Sequence, residues 1–503
     1  MGILVSLFYV LLFLLLIRRL RFFQLEGLGK WTPALFFLLK LAAGMAVWAV
    51  YTYYYPDAST ADIFKYFDDS KIMHDALYES PGDFFRMLFS VGNDTPHFDQ
   101  LYYQKMNHWY REFDSNLYND SHTIIRFNAF VRIFSFGYYH VHTVFMCFLS
   151  FAGLCALYKT LYPYVREWKY LPAIFIFLFP SVVFWGSGVL KEGLLFFGLG
   201  FLFRHFFGWL NDRRRIRLLW IALLLLLLFV TKFYIVVSLV PALLGILWTF
   251  RETSKSRVLM KFSLVLVLYI TAGIFTDKIF PGYNPFEVLA IKQRDFLNLA
   301  RGGTYLLSDS TVAFVAPENH DCVLTDTVTK KTRIKAGCDF YYWRVSDFTD
   351  TIFVKNSTDS AQYSIMTDYP RAGSLMKVER LEPTIGSIAK NTPPAIWNSL
   401  VRPYPWEAKS AMLVLPALES LLILLLLVFF LSAFRIRLPN LQLALCCLVF
   451  VFLLFAITGL TTPVIGALVR YRIPGIPLLL LALLLLSDRE KITGRWKWLA
   501  RWL

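Results

Sequence analysis

Residues 180–200 have the sequence PSVVFWGSGVLKEGLLFFGLG, in which Lys191 and Glu192 stand side by side between two apolar runs. Similar runs of about 17 to 25 residues recur along the 503-residue chain, and that is the length a helix needs to cross a bilayer. Hydrophobic residues make up 57% of the chain and charged residues only 17%. The composition therefore predicts an all-α polytopic membrane protein, in which an adjacent charged pair calls for an explanation.

Apolar periodicity and length predict about eleven transmembrane helices, with only short polar segments between most of them. The predicted spans are 3–17, 33–53, 140–161, 169–187, 189–208, 216–231, 233–250, 259–276, 409–434, 440–459 and 471–487. Basic clusters follow alternate spans, and Lys and Arg favour the cytoplasmic side. If the N-terminus lies outside and the C-terminus lies in the cytoplasm, every basic cluster falls on the cytoplasmic side. We expect a multi-pass protein of the bacterial inner membrane.

Two long polar segments then fall on the periplasmic side, and they carry most of the 35 acidic residues. The predicted organisation is 1–53, the first two spans; 54–139, a periplasmic loop of amphipathic surface helices; 140–276, spans three to eight; 277–408, a small mixed α/β periplasmic insertion; and 409–503, spans nine to eleven with a basic cytoplasmic tail. Cys322 and Cys338 lie in polar sequence of the insertion, so we expect them to form a disulfide.

The net charge of +16 does not point to a nucleic-acid partner, because many of the 51 Lys and Arg residues flank apolar runs as topology signals. No Walker loop, GxGxxG, GxSxG or kinase signature is present, which argues against nucleotide hydrolysis and against a soluble hydrolase. The histidines of the first loop have no zinc-site spacing, so they are interpreted as surface or interfacial residues.

Four basic residues on the predicted outer side oppose the topology trend, namely Lys191, Lys232, Arg470 and Arg472, all assigned to short outer turns. An anionic headgroup at the membrane boundary would explain them, since Lys and Arg bind phosphate through charge-assisted hydrogen bonds. Together with Glu192 they form the predicted site for a lipid phosphate. The alternative is that these side chains snorkel at helix ends, with Lys191 paired to Glu192.

Candidate carboxylates follow the second span, where Asp57, Asp62, Asp68 and Asp69 lie within the segment YYYPDASTADIFKYFDDSK. On a helix, Asp62, Tyr66 and Asp69 share one face. A carboxylate there would act as general base on an incoming hydroxyl, or would hold a divalent metal, which is left open as a cofactor. Asp57 and Asp62 are nearest the predicted bilayer and are the preferred catalytic candidates, with Asp68 and Asp69 as further candidates.

The arrangement resembles integral-membrane glycosyltransferases of the GT-C superfamily, which includes lipid A aminoarabinose transferases and protein mannosyltransferases. The features that carry the resemblance are the long first outer loop, the Asp soon after the preceding helix, and the late segment RYRIPGIPLLLLALL at residues 471–485. The segment FWGSGVLKEG is also similar to one in bacterial membrane proteins of surface-polysaccharide gene clusters. The chain departs from the simplest pattern of this superfamily in two ways. An extra span precedes the one that leads into the acidic loop, and that loop has no plain Asp-Glu or Asp-x-Asp pair beside the membrane.

The resemblance implies a polyprenyl-phosphate or polyprenyl-pyrophosphate sugar as donor and a glycan or lipid as acceptor. Asp57 or Asp62 would be the base, and Lys191, Lys232, Arg470 and Arg472 would hold the phosphate. Three alternatives remain: an O-antigen-type polysaccharide polymerase or ligase, a transporter or flippase of lipid-linked sugars, and a scaffold that binds without chemistry. A transporter would need charged residues near mid-bilayer, and Lys40 and Glu419 are the candidates, each expected to reach an interface.

Overall fold

The computed structural model describes residues 1–55, 61–110, 118–308, 311–326, 331–344, 347–358, 362–363, 365–369, 371–435 and 438–498. Most of this chain is helical, as its long apolar runs predict. The helices up to the second long polar segment are α1 Gly2–Arg19, α2 Thr32–Ala49, α3 Asp62–Glu79, α4 Pro81–Phe89, α5 Pro96–Leu101, α6 Ser121–Ser135, α7 Tyr139–Val165, α8 Leu171–Ala173, α9 Pro180–Trp185, α10 Lys191–Asp212, α11 Ile216–Thr231, α12 Phe233–Thr249 and α13 Lys255–Ile274.

The second long segment is a mixed unit between α13 and the last apolar helices. It contains α14 Thr276–Ile279, α15 Pro285–Arg301, β1 Gly303–Leu307, β2 Thr311–Val315, β3 Val323–Thr325, β4 Thr332–Ile334, β5 Phe340–Arg344, β6 Asp347–Val354, β7 Gln362–Tyr363, β8 Ile365–Tyr369 and α16 Ile385–Val401. The strands form antiparallel sheets of order β6-β5-β2-β1-β8 and β3-β4-β7. A disulfide joins Cys322, just before β3, to Cys338, just before β5.

The remaining helices are α17 Ala411–Leu431, α18 Leu441–Thr461, α19 Ile465–Tyr471, α20 Ile476–Leu486 and α21 Arg489–Arg495. Within the described chain, eight helical stretches are long and apolar enough to cross a membrane: Gly2–Arg19, Thr32–Tyr54, Tyr139–Trp168, Lys191–Asp212, Lys255–Ile274, Ala411–Leu431, Leu441–Thr461 and Ile465–Leu486. The apolar helices Ile216–Thr231 and Phe233–Thr249 are shorter. The prediction of a mostly helical chain with several apolar helices of membrane length and a small sheet region is confirmed, whereas the number of spans stays a prediction.

Two predicted spans differ from the structure. The span predicted at 169–187 is interrupted, because the π-helical turn Ile174–Leu178 ends before Pro180, where the separate helix α9 begins. The last span, predicted to start at 471, already begins as helix at Ile465. Arg470 therefore lies within α19 rather than in a short turn, and Arg472 lies at its end.

The helix bundle has a loop-bearing end, where both long polar segments attach, and a basic end, where the short basic connections lie. The packing of α7 against α10 shows why the bundle is tight: a Cβ on Gly200 would collide with the Gly153 carbonyl oxygen. At the loop-bearing end, α3, α4 and α6 build a second core with Met73, Phe84 and Ile124 fully buried. The first loop is thus a packed helical unit rather than separate helices on a surface.

Candidate functional site

Lys191 and Lys232 converge on one carboxylate at the loop-bearing end. Lys191 is the first residue of α10, where the chain leaves the turn at 186–190, and Lys232 is the single residue between α11 and α12. Lys191 Nζ lies 3.0 Å from Asp120 Oδ1 and Lys232 Nζ lies 2.6 Å from Asp120 Oδ2. Lys191 Nζ also donates to Ser121 Oγ at 3.2 Å. Two ammonium groups from distant parts of the chain therefore face one anion.

Asp120 itself occupies the N-cap position of α6, where an aspartate usually accepts a backbone N–H of its own helix. Its side chain makes no such capping bond, since its oxygens are turned to the two lysines. The Asp120 side chain keeps 21% of its surface exposed, against 5% for Lys191 and 12% for Lys232. The Asp120 carboxylate thus lies between the two ammonium groups and is more exposed than either lysine side chain, and we call this arrangement of Lys191 and Lys232 around Asp120 the basic recess.

Arg470 and Glu192 form the second half of the cluster. The Arg470 guanidinium donates from Nε to Glu192 Oε1 at 2.6 Å and from Nη2 to Oε2 at 3.2 Å, a bidentate pair. Arg470 Nη1 donates to Asp62 Oδ2 at 3.1 Å. Lys191 and Glu192, adjacent in sequence, thus pair with different partners instead of with each other. Only 2% of the Glu192 side chain is exposed, so this pair is desolvated.

His108 lies on the far side of Asp62 from Arg470, with His108 Nε2 3.4 Å from Asp62 Oδ1. Burial by itself raises the pKa of Asp62, but His108 and the Arg470 charge together outweigh it and hold that pKa well below its usual range. Asp62 is therefore a stable anion and a weak base. We define the charge cluster as Asp62, His108, Asp120, Lys191, Glu192, Lys232 and Arg470.

Aromatic rings line this cluster. The Lys191 ammonium lies 5.1 Å from the Tyr66 ring centroid and the Lys232 ammonium 4.9 Å from that of Tyr471, both within the range of a cation–π contact. The Arg470 guanidinium carbon lies 5.7 Å from the Trp185 ring. Rings that stabilise cations also offer flat apolar faces beside the charges.

The other candidate aspartates have different surroundings. Asp69, fully buried on α3, accepts from the backbone N of Asn107 at 2.6 Å and from the backbone N of His108 at 2.8 Å. Asp69 therefore positions the segment that carries His108 and does not face the cluster as a free base. Asp68 is exposed, and Asp57 lies outside the described residues.

Arg472 is not part of the cluster, which corrects the sequence prediction. Its side chain is fully buried, and Nη1 donates to the carbonyl oxygens of Ser399 at 2.9 Å and Arg402 at 2.7 Å. Nη2 donates to Ser420 Oγ at 2.8 Å. Arg472 thus ties the end of α16 to α17, because its Nη1 and Nη2 atoms donate to acceptors on both segments.

Replacing Arg472 with alanine is expected to destabilise the protein rather than to remove a phosphate contact. Each buried carbonyl left unsatisfied costs about 1–3 kcal/mol. We expect a lower melting temperature of the detergent-solubilised protein and a lower protein level, measured beside Arg380→Ala, which removes an exposed cation from the same region. A normal melting temperature for Arg472→Ala would contradict this structural role.

Lys40 and Glu419, the two charged residues predicted within spans, are both buried inside the protein. Lys40 is 1% exposed within α2, and Glu419 is 3% exposed within α17. Glu419 Oε2 accepts from the backbone N of Ser181 at 2.6 Å, at the start of α9. This bond holds the carboxylate against the interrupted span, away from the charge cluster.

Asp120 and His108 are the members of the cluster that sequence reasoning missed. Each lies in a loop among many polar residues, and nothing in its spacing marks it. Among the residues that the structure describes, no group of three His, Cys, Asp or Glu side chains could hold a metal ion. Comparison with protein-family models, curated proteins and solved structures finds no match to this chain.

Proposed function

We propose that the chain is a membrane-embedded glycosyltransferase that takes a sugar from a polyprenyl-phosphate-linked donor, with the charge cluster as its active site. The observation that carries this proposal is the convergence of Lys191 and Lys232 on the single carboxylate of Asp120. A carboxylate held between two buried ammonium groups occupies the position that suits a substrate phosphate. The Asp120 oxygens stand in for phosphate oxygens in this state.

The position of the recess favours a lipid-borne phosphate over a soluble one. Lys191 and Lys232 lie at the ends of α10, α11 and α12, all apolar helices, so a phosphate between them would have its hydrocarbon chain beside the bundle. An isolated charge in such a place is expensive unless it is paired. Asp120 provides that pairing when the substrate is absent, and the donor phosphate would provide it when bound.

Transfer, rather than binding alone, is favoured by the groups around the recess. A basic recess stabilises the negative charge that grows on a departing phosphate. The aromatic rings of Tyr66 and Tyr471 contact the two lysines and would flank a sugar attached to that phosphate. The imidazole of His108 and the carboxylate of Asp62 lie beside the same recess. Phosphate binding, sugar placement and proton transfer would thus occur in one place.

The proposal extends to the cell envelope: the loop-bearing end would face the periplasm of a bacterial inner membrane, and the acceptor would be a glycan or lipid hydroxyl. The basic connections at the opposite end are consistent with this orientation under the positive-inside rule. Addition of one sugar and polymerisation of a lipid-linked glycan share the same donor chemistry, so the proposal covers both.

Binding of polyprenyl phosphate to the purified protein tests the proposal. We expect the lipid phosphate to raise the melting temperature, and polyprenol or inorganic phosphate alone to do so much less. Lys191→Gln and Lys232→Gln should each weaken binding about 10- to 100-fold, because each removes one charge-assisted hydrogen bond. Native mass spectrometry would measure the affinities.

Lys261→Gln is the matched control, because Lys261 pairs with Glu252 at 2.9 Å at the opposite end of α12 from Lys232. This variant should bind the lipid phosphate as the wild type does. Equal binding of polyprenol and polyprenyl phosphate, or unchanged binding by both cluster variants, would contradict the proposal. Release of polyprenyl phosphate from a panel of polyprenyl-phosphate hexoses would then identify the sugar.

A further inference from the structure

The backbone of His108 is fixed from both sides. Its N–H donates to the buried Asp69 carboxylate at 2.8 Å, and its carbonyl oxygen accepts from Asn119 Nδ2 at 2.9 Å. Asn119 Nδ2 also donates to the carbonyl oxygen of Trp109 at 2.9 Å. A buried carboxylate and a buried amide thus hold a three-residue segment whose only ionisable side chain is an imidazole. Such support is typical of functional side chains that must keep one position.

The imidazole itself faces a carboxylate that is anchored elsewhere. His108 Nε2 lies 3.4 Å from Asp62 Oδ1, and the other Asp62 oxygen accepts from Arg470. Within the described chain, no residue makes a hydrogen bond to Nδ1 of His108. The His108 side chain is 27% exposed. The Asp62 carboxylate beside Nε2 faces one edge of the ring, which leaves Nδ1 as the nitrogen to accept a proton.

We infer that His108 is the general base of the proposed glycosyl transfer and that Asp62 is the residue that positions it. This inference rests on the proposed function, and it assigns to a histidine the role that was predicted for Asp57 or Asp62. The geometry of the charge cluster supports it, since His108 contacts Asp62 and shares the Tyr66 ring with Lys191.

The Tyr66 ring lies close to both Lys191 and His108. Its centroid lies 5.1 Å from Lys191 Nζ and 5.4 Å from the His108 ring centroid. Lys191 and His108 are therefore separated by no more than these two distances together. In inverting glycosidases the two catalytic carboxyl groups are about 6.5–9.5 Å apart, which leaves room for the sugar and the attacking oxygen. The upper limit set by the Tyr66 contacts therefore places Lys191 and His108 within a distance of this order.

The reaction that follows is balanced by groups within the cluster. His108 Nδ1 takes the proton of the acceptor hydroxyl as its oxygen forms a bond to the anomeric carbon. The bond between that carbon and the phosphate oxygen breaks, and its electron pair leaves on the phosphate. Lys191 and Lys232 stabilise that charge, and the imidazolium, stabilised by Asp62, later releases its proton to solvent. The configuration at the anomeric carbon is inverted.

Asp62 is the weaker candidate for the base on physical grounds. Both of its oxygens face cations or a proton donor, and the resulting low pKa makes it a poor proton acceptor. The Asp69 carboxylate already accepts hydrogen bonds from the backbone N–H groups of Asn107 and His108, so it is not available as a base. Among the described members and neighbours of the cluster, His108 therefore combines position with an available ring nitrogen.

The test compares His108→Ala with the wild type, using the polyprenyl-phosphate hexose that the panel identifies as donor. We expect kcat to fall about 10²- to 10⁴-fold while the Kd for polyprenyl phosphate stays within about threefold. Added imidazole should raise the transfer rate of His108→Ala at least about tenfold and should not raise that of the wild type. Rescue by imidazole is a response that a purely structural role would not produce.

Asp62→Asn is the second variant, and it should lower kcat with no imidazole rescue, because the base is present but misplaced. His97→Ala is the matched control: His97 Nε2 pairs with Asp83 at 2.8 Å, outside the cluster, and its loss should leave kcat unchanged. Full activity of His108→Ala, or loss without rescue while the protein stays folded, would overturn the assignment. Failure of the wild type to bind or cleave any donor would instead overturn the proposed function.

Discussion

Arg470→Ala is expected to destabilise the protein more than any other single change in the charge cluster. The substitution leaves the Glu192 carboxylate, 2% exposed, without the bidentate partner that offsets its desolvation. Breaking a buried ion pair from one side costs about 3–5 kcal/mol, because the remaining charge stays buried and unpaired. We expect a large fall in melting temperature and loss of transfer activity, measured on detergent-purified protein.

The double variant Arg470→Ala with Glu192→Gln separates the unpaired charge from the lost packing. It should recover part of the melting temperature of Arg470→Ala, since the neutral amide no longer requires a counter-charge. Lys390→Ala is the control for an exposed pair: Lys390 and Glu379 are 2.8 Å apart with most of both side chains exposed, so about 0–1 kcal/mol is expected. Equal effects of Arg470→Ala and Lys390→Ala would mean that the cluster is not desolvated.

Asp120→Asn should change lipid binding in the direction opposite to the lysine variants. In the structure Asp120 neutralises Lys191 and Lys232, so a phosphate must compete with it for both ammonium groups. Removing its charge leaves two cations facing each other, which destabilises the empty site and strengthens binding of an anion. We expect the Kd for polyprenyl phosphate to fall at least about tenfold, which corresponds to about 1.4 kcal/mol.

Asp75→Asn is the matched control for Asp120→Asn, because it removes the same charge from an exposed ion pair with Lys71 on α3. It should leave the Kd for polyprenyl phosphate unchanged. A Kd that rises in Asp120→Asn would show that Asp120 helps to bind the ligand and does not take its place. That result would contradict the stand-in role of Asp120 while leaving the two lysines as phosphate contacts.

The apolar helices were predictable because they depend on local properties. Long apolar runs and basic flanks mark most spans without knowledge of their neighbours. The span predicted at 169–187 failed at Pro180, since hydropathy does not register a missing backbone N–H in the middle of an apolar run. The core beneath α3 and α6 was not predictable either, because it depends on contacts between the first loop and α10.

The site could be predicted only where a residue broke the pattern around it. Lys191, Glu192, Lys232 and Arg470 stand out as charges beside apolar runs, and the structure brings them together. Asp120 and His108 lie in polar sequence where acidic residues and histidines are common. Asp120 and His108 matter because of contacts between distant parts of the chain, such as the hydrogen bond from the His108 backbone to Asp69. The spacing of residues in the sequence does not reveal such contacts.

The prediction that Arg470 and Arg472 lie in a short turn led to Arg472 being wrongly included in the site. Two residues apart in a turn, both side chains were expected to face the same ligand. On a helix, positions i and i+2 point to different sides, and α19 is helical through Tyr471. Arg470 therefore reaches Glu192, whereas Arg472 turns toward Ser399 and Ser420.

A cryo-electron microscopy map of the protein with polyprenyl phosphate tests the central claim most directly. That claim is that Lys191 and Lys232 hold the substrate phosphate at the position now taken by Asp120. The account predicts phosphate density within about 2.7–3.2 Å of both ammonium groups, with the Asp120 carboxylate moved away. A lipid phosphate bound elsewhere, with both lysines still paired to Asp120, would contradict it.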